Sequence, residues 1–149
     1  MNHPATAMLG LGRMGSALAG ALADAGVPLT VWNRPPARAY ALEGRARIAR
    51  SAADACANAE LVVLSLSDYS AGIEVMDEVA EHIELADKTL VQLTSGSPAD
   101  ARTMDAWAGM QAVKQNWILK GKLSKAAPGF KKVPVLKAIA HSTMVQYGT

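Results

Sequence analysis

An α/β fold built on a doubly wound parallel sheet follows from three features of this 149-residue sequence. Short apolar runs alternate with alanine-rich or amphipathic stretches, some of those runs are apolar at every position, and capping residues or glycines divide one kind from the other. A run apolar throughout suits a strand covered on both faces, and parallel neighbours need a crossover between them, so strand and helix should alternate along the chain.

The elements can be taken in order. Ala5 to Leu9 is a short strand ended by Gly10, and Ser16 to Ala25 is a helical stretch closed by Gly26. Val27 to Trp32 reads as the second strand. Pro35-Pro36 then opens a short helical segment, Ala37 to Leu42, ended by Gly44, and Arg47 to Ala49 is a brief third strand. Ser51 and Asp54 have capping-box spacing ahead of a short helix over Ala55 to Ala59. Leu61 to Leu64, continuing to about Leu66, is the most uniformly apolar strand. Ile73, Met76, Val79 and Ile83 recur every three or four residues, with Glu74, Asp77, Glu78 and Glu81 on the remaining face, as a surface helix requires. Thr89 to Leu93 is the fifth strand. Ser97-Pro98-Ala99-Asp100 supplies an N-cap, a proline at the first helical position and an acid in the first turn, which predicts a helix from Pro98 to about Ala108.

Composition narrows the function classes. With 50% apolar residues the chain can bury one ordinary core, but its length does not hold two full domains. No run of 18 apolar residues occurs, and Met1 to Ala7 lacks the basic start of a secretory leader, so the cytoplasm is the expected location and no membrane partner is expected. Cys56 is the only cysteine, which excludes an intramolecular disulfide and a zinc site made of cysteine pairs. Its alanine-rich surroundings, Ala52 to Ala59, predict a buried and inert thiol. His3, His82 and His141 are too scattered for ligand spacing, so no metal is expected. Residues 1–113 carry eight basic side chains against thirteen acids, whereas residues 114–149 carry seven lysines and neither an arginine nor an acid. The break near Met110 to Lys114 marks off an atypical, Lys-rich C-terminal segment.

Gly10-Leu11-Gly12-Arg13-Met14-Gly15 fits G-x-G-x-x-G where the first strand meets the first helix. The first glycine permits a tight turn, the second lets backbone approach a pyrophosphate, and the third lets helix pack on strand, while the helix head offers its N–H groups to phosphate. The fold expected is therefore Rossmann-type, with a dinucleotide on this turn. About 20 residues further on, NAD-binding domains of this type place a carboxylate for the ribose 2′-hydroxyl. Here the chain reads Trp32-Asn33-Arg34-Pro35-Pro36-Ala37-Arg38, with no carboxylate to repel a 2′-phosphate and two guanidinium groups four residues apart to meet one. NADPH should be preferred over NADH.

At these residues the sequence resembles the beta-hydroxyacid dehydrogenase superfamily, which includes 6-phosphogluconate dehydrogenase, and most closely the imine reductases. Four pieces between about residues 5 and 108 carry the likeness: Gly10 to Gly15, Val31-Trp32-Asn33-Arg34, Leu66-Ser67-Asp68-Tyr69, and Leu93-Thr94-Ser95-Gly96-Ser97-Pro98. Hydroxyacid dehydrogenases have an Asp followed by a Ser-Thr pair at the last of these, where this chain has Gln92 and then Thr94-Ser95-Gly96, as imine reductases look. The resemblance implies that Asn33, Arg34 and Arg38 lie at the 2′-phosphate, that Leu66 and Ser67 pass beside the cofactor, and that Thr94 and Ser95 lie near the nicotinamide. It also implies a small-molecule substrate, an imine or a beta-hydroxyacid or keto compound, with a homodimer completing the pocket.

After Trp107 the likeness stops, and no catalytic residue can be assigned. Trp117 to Leu119 is a candidate sixth strand, and Leu136, Ile139, Ala140 and Met144 suit one helical face, but the 36 residues from 114 are too few for the helical catalytic domain of such enzymes. Residues 1–113 are thus expected to be the cofactor domain of an oxidoreductase, too little to be a complete enzyme. Three readings of 114–149 stay open: a divergent sheet edge with a closing helix, sequence foreign to the domain, or a surface for nucleic acid or an acidic partner. Nucleic acid is the least favoured of these. The alternative function is a non-catalytic NADPH-binding module with a basic tail.

Overall fold

The computed structural model describes residues 3–86, 88–94 and 96–111, together with the backbone of 114–119 and 122–123. Along the chain these form β1 (Thr6–Leu9), α1 (Arg13–Asp24), β2 (Leu29–Trp32), α2 (Ala37–Tyr40), β3 (Arg47–Ile48), α3 (Ala52–Cys56), β4 (Leu61–Leu64), α4 (Tyr69–His82), β5 (Thr89–Gln92), α5 (Pro98–Met110), β6 (Lys114–Leu119) and β7 (Lys122–Leu123). The strands lie in the order β3-β2-β1-β4-β5-β6-β7. Every pairing from β3 to β6 is parallel, and β7 returns antiparallel on β6. The five parallel strands expected before residue 113 are present, and the candidate sixth strand begins three residues earlier than Trp117. The helical face over Leu136 to Met144 lies outside the described residues.

Alternation along the central strands explains why all four residues of β1, β4 and β5 are buried. Ala7, Leu9, Val62, Leu64 and Leu90 point into one core with α3, α4 and α5, whereas Met8, Leu61, Val63 and Val91 point into a second core with Leu18, Ala19 and Leu22 of α1 and Ala39 of α2. Both faces of the sheet are therefore covered, which is the doubly wound arrangement.

Helix heads are set by local hydrogen bonds. Ser97 Oγ accepts from the Asp100 N–H at 3.1 Å, the N-cap expected before α5, while Asp100 Oδ2 accepts from the Ser97 N–H at 2.9 Å and closes a capping box. At α3 only half of the expected box forms. Ser51 Oγ accepts from the Asp54 N–H, but the Asp54 carboxylate accepts instead from the Arg47 guanidinium and from the Arg50 N–H, which together hold it below the usual carboxylate range. Asp68 caps α4 by accepting from the Ala71 N–H at 2.8 Å, so the helix starts four residues before Ile73. The indole N–H of Trp107 on α5 donates to Asp77 Oδ1 on α4 at 2.5 Å and ties the two helices together. No helix among the described residues is long and apolar enough to cross a membrane.

Met104 of α5 is fully buried in the first core, so Met104→Ala should lower the unfolding free energy by about 2–5 kcal/mol in urea denaturation. Burial pushes the Cys56 thiol up to about 12. Thiol alkylation at about pH 8 should leave the native chain untouched and label Cys56 once urea unfolds it.

Candidate functional site

The strand registers bring the predicted residues to one edge of the sheet. Leu9 is opposite both Trp32 and Leu64, and Leu64 is opposite Gln92, so β1, β2, β4 and β5 end level with one another. The loops that follow emerge side by side. Chain order reverses between β1 and β4, and in open α/β sheets that switch point opens a crevice beyond the strand ends.

The glycine turn fills the head of this crevice. Gly10 has φ +101°, and a Cβ there would collide with the Ser65 carbonyl at the end of β4. Gly15 lies so close to Gly10 that a Cβ would strike the Gly10 carbonyl. Those two contacts draw α1 onto the ends of β1 and β4. Gly12 serves a different purpose: a Cβ there would meet only Arg38 Nη1, at 3.9 Å. As N-cap of α1, Gly12 provides no side-chain cap, and no acid occupies the first turn. The helix head therefore presents uncapped backbone N–H groups at an open surface, a fit for phosphate oxygens. Helix α1 starts at Arg13, not at Ser16, because two glycines hide the helical signal of the first turn. Arg13 is exposed, Met14 partly buried and Leu11 wholly buried.

Side chains from beyond β2 hold the turn in place. Leu11 donates its N–H to Asn33 Oδ1 at 2.9 Å, while its carbonyl accepts from Ser16 Oγ at 2.9 Å and from Arg38 Nη1 at 3.2 Å. Asn33 Nδ2 donates in turn to the Pro35 carbonyl at 3.0 Å. Arg34 goes elsewhere. Its Nη1 lies 3.6 Å from Glu74 Oε1 on α4, with the two side chains 62% and 70% exposed. Of the paired arginines, Arg38 thus sits at the glycine turn and Arg34 faces α4.

The other two loops are joined by one relay. Leu66 donates its N–H to Thr94 Oγ1 at 3.1 Å, and Thr94 donates its own N–H to Gln92 Oε1 at 3.0 Å. Thr94 is buried, Leu66 partly buried and Ser67 exposed, while Ser95 lies outside the described residues. Gln92, 1% exposed, keeps its Nε2 without a hydrogen-bond partner within the described protein. A Cβ at Gly72 of α4 would come within 3.9 Å of that nitrogen. The ring of Tyr69 packs against Gly96, and burial, with the Asp100 carboxylate nearby, holds its phenol above the usual range. Among the described residues no cluster of His, Cys, Asp and Glu has the makings of a metal site.

Sequence reasoning named Gln92 and Asp68 only within the pieces that carry the resemblance, with no role for either side chain, and did not place Glu74 in this region. A polar side chain at the end of the apolar strand Leu90-Val91-Gln92 was a usable signal; for Glu74 there was none, since it matches the other acids of its helical face.

Comparison with known proteins places these features in a family. Residues 5–115 match the model described as the NAD binding domain of 6-phosphogluconate dehydrogenase. An NADPH-dependent reductive aminase of Aspergillus oryzae (strain ATCC 42149 / RIB 40) is 33% identical over 99 residues, 65% of this chain and 32% of that protein. The Streptomyces aurantiacus imine reductase superposes with a TM-score of 0.78 at 26% identity, covering 96% of this chain and 59% of its own. The imine reductase from Myxococcus stipitatus in complex with NADP+ gives a TM-score of 0.75 at 29% identity, covering 96% of this chain and 61% of that one. This chain therefore spans about a third of the reductive aminase and about three fifths of the two imine reductases. With the match running from the residue before β1 into β6, across a glycine turn of the geometry described, the chain belongs to the family of the 6-phosphogluconate dehydrogenase NAD-binding domain.

Proposed function

We propose that this chain binds NADP(H) in preference to NAD(H) and acts as the cofactor domain of an oxidoreductase that reduces imines, with beta-hydroxyacid or keto compounds as the other substrate class. The observation that carries this reading is the uncapped head of α1 beneath the open face of Gly12, with the Arg38 guanidinium beside it. In this assignment residues 10 to 15 hold the pyrophosphate, and Asn33, Arg34 and Arg38 gather at the 2′-phosphate. Leu66, Ser67, Thr94 and Ser95 flank the nicotinamide, from which the bound cofactor supplies a hydride. The imine class is favoured because the relatives named above are imine reductases and a reductive aminase.

The residues assigned here set position. Asn33 fixes the Leu11 backbone, and the Gln92–Thr94–Leu66 relay fixes the two loops on the nicotinamide side. Residues 1–113 form the cofactor domain in this reading, and the Lys-rich 114–149 is not a full catalytic domain. It also includes a cytoplasmic location and a homodimer.

Titration of the chain with NADPH and NADH tests the reading, and tighter binding of NADPH is expected. Loss of one charge-assisted contact costs about 1.5–3 kcal/mol, so Arg34→Ala should weaken NADPH binding by about tenfold to a hundredfold and leave NADH nearly unchanged. Equal losses for both cofactors would contradict the 2′-phosphate assignment. The two glycines separate fold from binding. Gly10→Ala should cost roughly 3 kcal/mol of stability through positive-φ strain and backbone collision. Gly12→Ala should keep the melting temperature yet weaken both cofactors, because its methyl stands where a pyrophosphate would rest. Incubation with NADPH and cyclic imines gives turnover if the chain is catalytic; binding without turnover supports the alternative of a non-catalytic NADPH-binding module.

A further inference from the structure

The two arginines assigned to the 2′-phosphate are held by chemically different partners. Arg38 donates to a neutral acceptor, the Leu11 carbonyl, and stays at the glycine turn. Arg34 instead faces a full negative charge, the Glu74 carboxylate, 3.6 Å away on α4. That carboxylate lies within ion-pair distance of the guanidinium and so competes by charge with any phosphate that approaches it. Both side chains are mostly exposed, and ion pairs of this kind are weakly held, so a doubly charged phosphate can displace the carboxylate but not free itself from the nearby negative charge.

We propose that Glu74 is a specificity-determining residue, a competing anion that takes Arg34 in the free chain and lowers its preference for 2′-phosphorylated dinucleotides. This rests on the assignment of Arg34 to the 2′-phosphate. The fold does not require the charge. Glu74 lies on the solvent face of α4, whose place is set by Tyr69, Gly72, Val75, Met76 and Val79 on the buried side and by the Trp107 bond to Asp77. Charge on Glu74 therefore tunes the site without building it.

The test compares the intact chain with its Glu74→Gln variant, titrated with NADPH, NADH, adenosine 2′,5′-bisphosphate and ADP, with melting temperatures as a check on folding. Glu74→Gln should tighten NADPH and adenosine 2′,5′-bisphosphate by about twofold to fivefold, the range of an exposed ion pair, and leave NADH and ADP almost unchanged. The gain should shrink as salt is raised and largely vanish in an Arg34→Ala background. Unchanged or weaker NADPH binding by Glu74→Gln, or a gain that survives intact without Arg34, overturns the proposal. Failure of the unmodified chain to prefer NADPH overturns the cofactor reading itself, so the two failures are distinguishable. Glu74→Lys provides a second variant, expected to move the same way and further.

Discussion

The close approach of backbone at Gly10 and Gly15 governs everything else at this end of the sheet. One glycine lies against the Ser65 carbonyl of the neighbouring loop and the other against the carbonyl of Gly10, so α1 enters the switch point with no side chain in between. Only at that separation can Asn33, Ser16 and Arg38 reach the two polar backbone atoms of Leu11. Each neutral hydrogen bond contributes about 0.5–1.5 kcal/mol and the guanidinium bond about 1.5–3, enough together to hold the turn in one shape before any ligand arrives. A turn already ordered loses less conformational freedom on binding.

The electrostatics of the crevice are asymmetric for a simple reason. Arginine on the β2 side meets backbone carbonyl at one wall and the acidic face of α4 at the other. Positive charge at the site is therefore partly compensated from within the chain, and the affinity for an anion reflects the balance of the two walls and not a count of arginines.

Much of this architecture was legible in the sequence. Leu61 to Leu64 declared a strand buried on both faces, and Ser97 with Asp100 declared a helix head that forms as expected. Errors arose where one local rule competed with another. β2 is shorter than Val27 to Trp32 because Val27 donates to Leu22 at the end of α1 and so closes that helix, while the ladder with β1 opens only at the Pro28 carbonyl, which accepts from Thr6. Asp54 left its box because Arg47 and Arg50 offered donors from the preceding strand and loop. In the site, the glycines, Asn33 and Arg38 were readable because their spacing follows from one strand-turn-helix-strand unit. The partnership of Arg34 with Glu74, and of Thr94 with Leu66, joins segments that only the folded sheet brings together, which no periodicity along the chain encodes.

The indole of Trp107 bonded to Asp77 has a practical meaning. Asp77 sits three residues beyond Glu74 on α4, close to one helical turn, so the same hydrogen bond that staples two helices also steadies the wall opposite the arginines. A change in the seating of that wall would alter the polarity around the mostly buried Trp107 indole, so a chain with Trp32 and Trp117 replaced would carry an internal optical gauge of the geometry on which its charge balance rests.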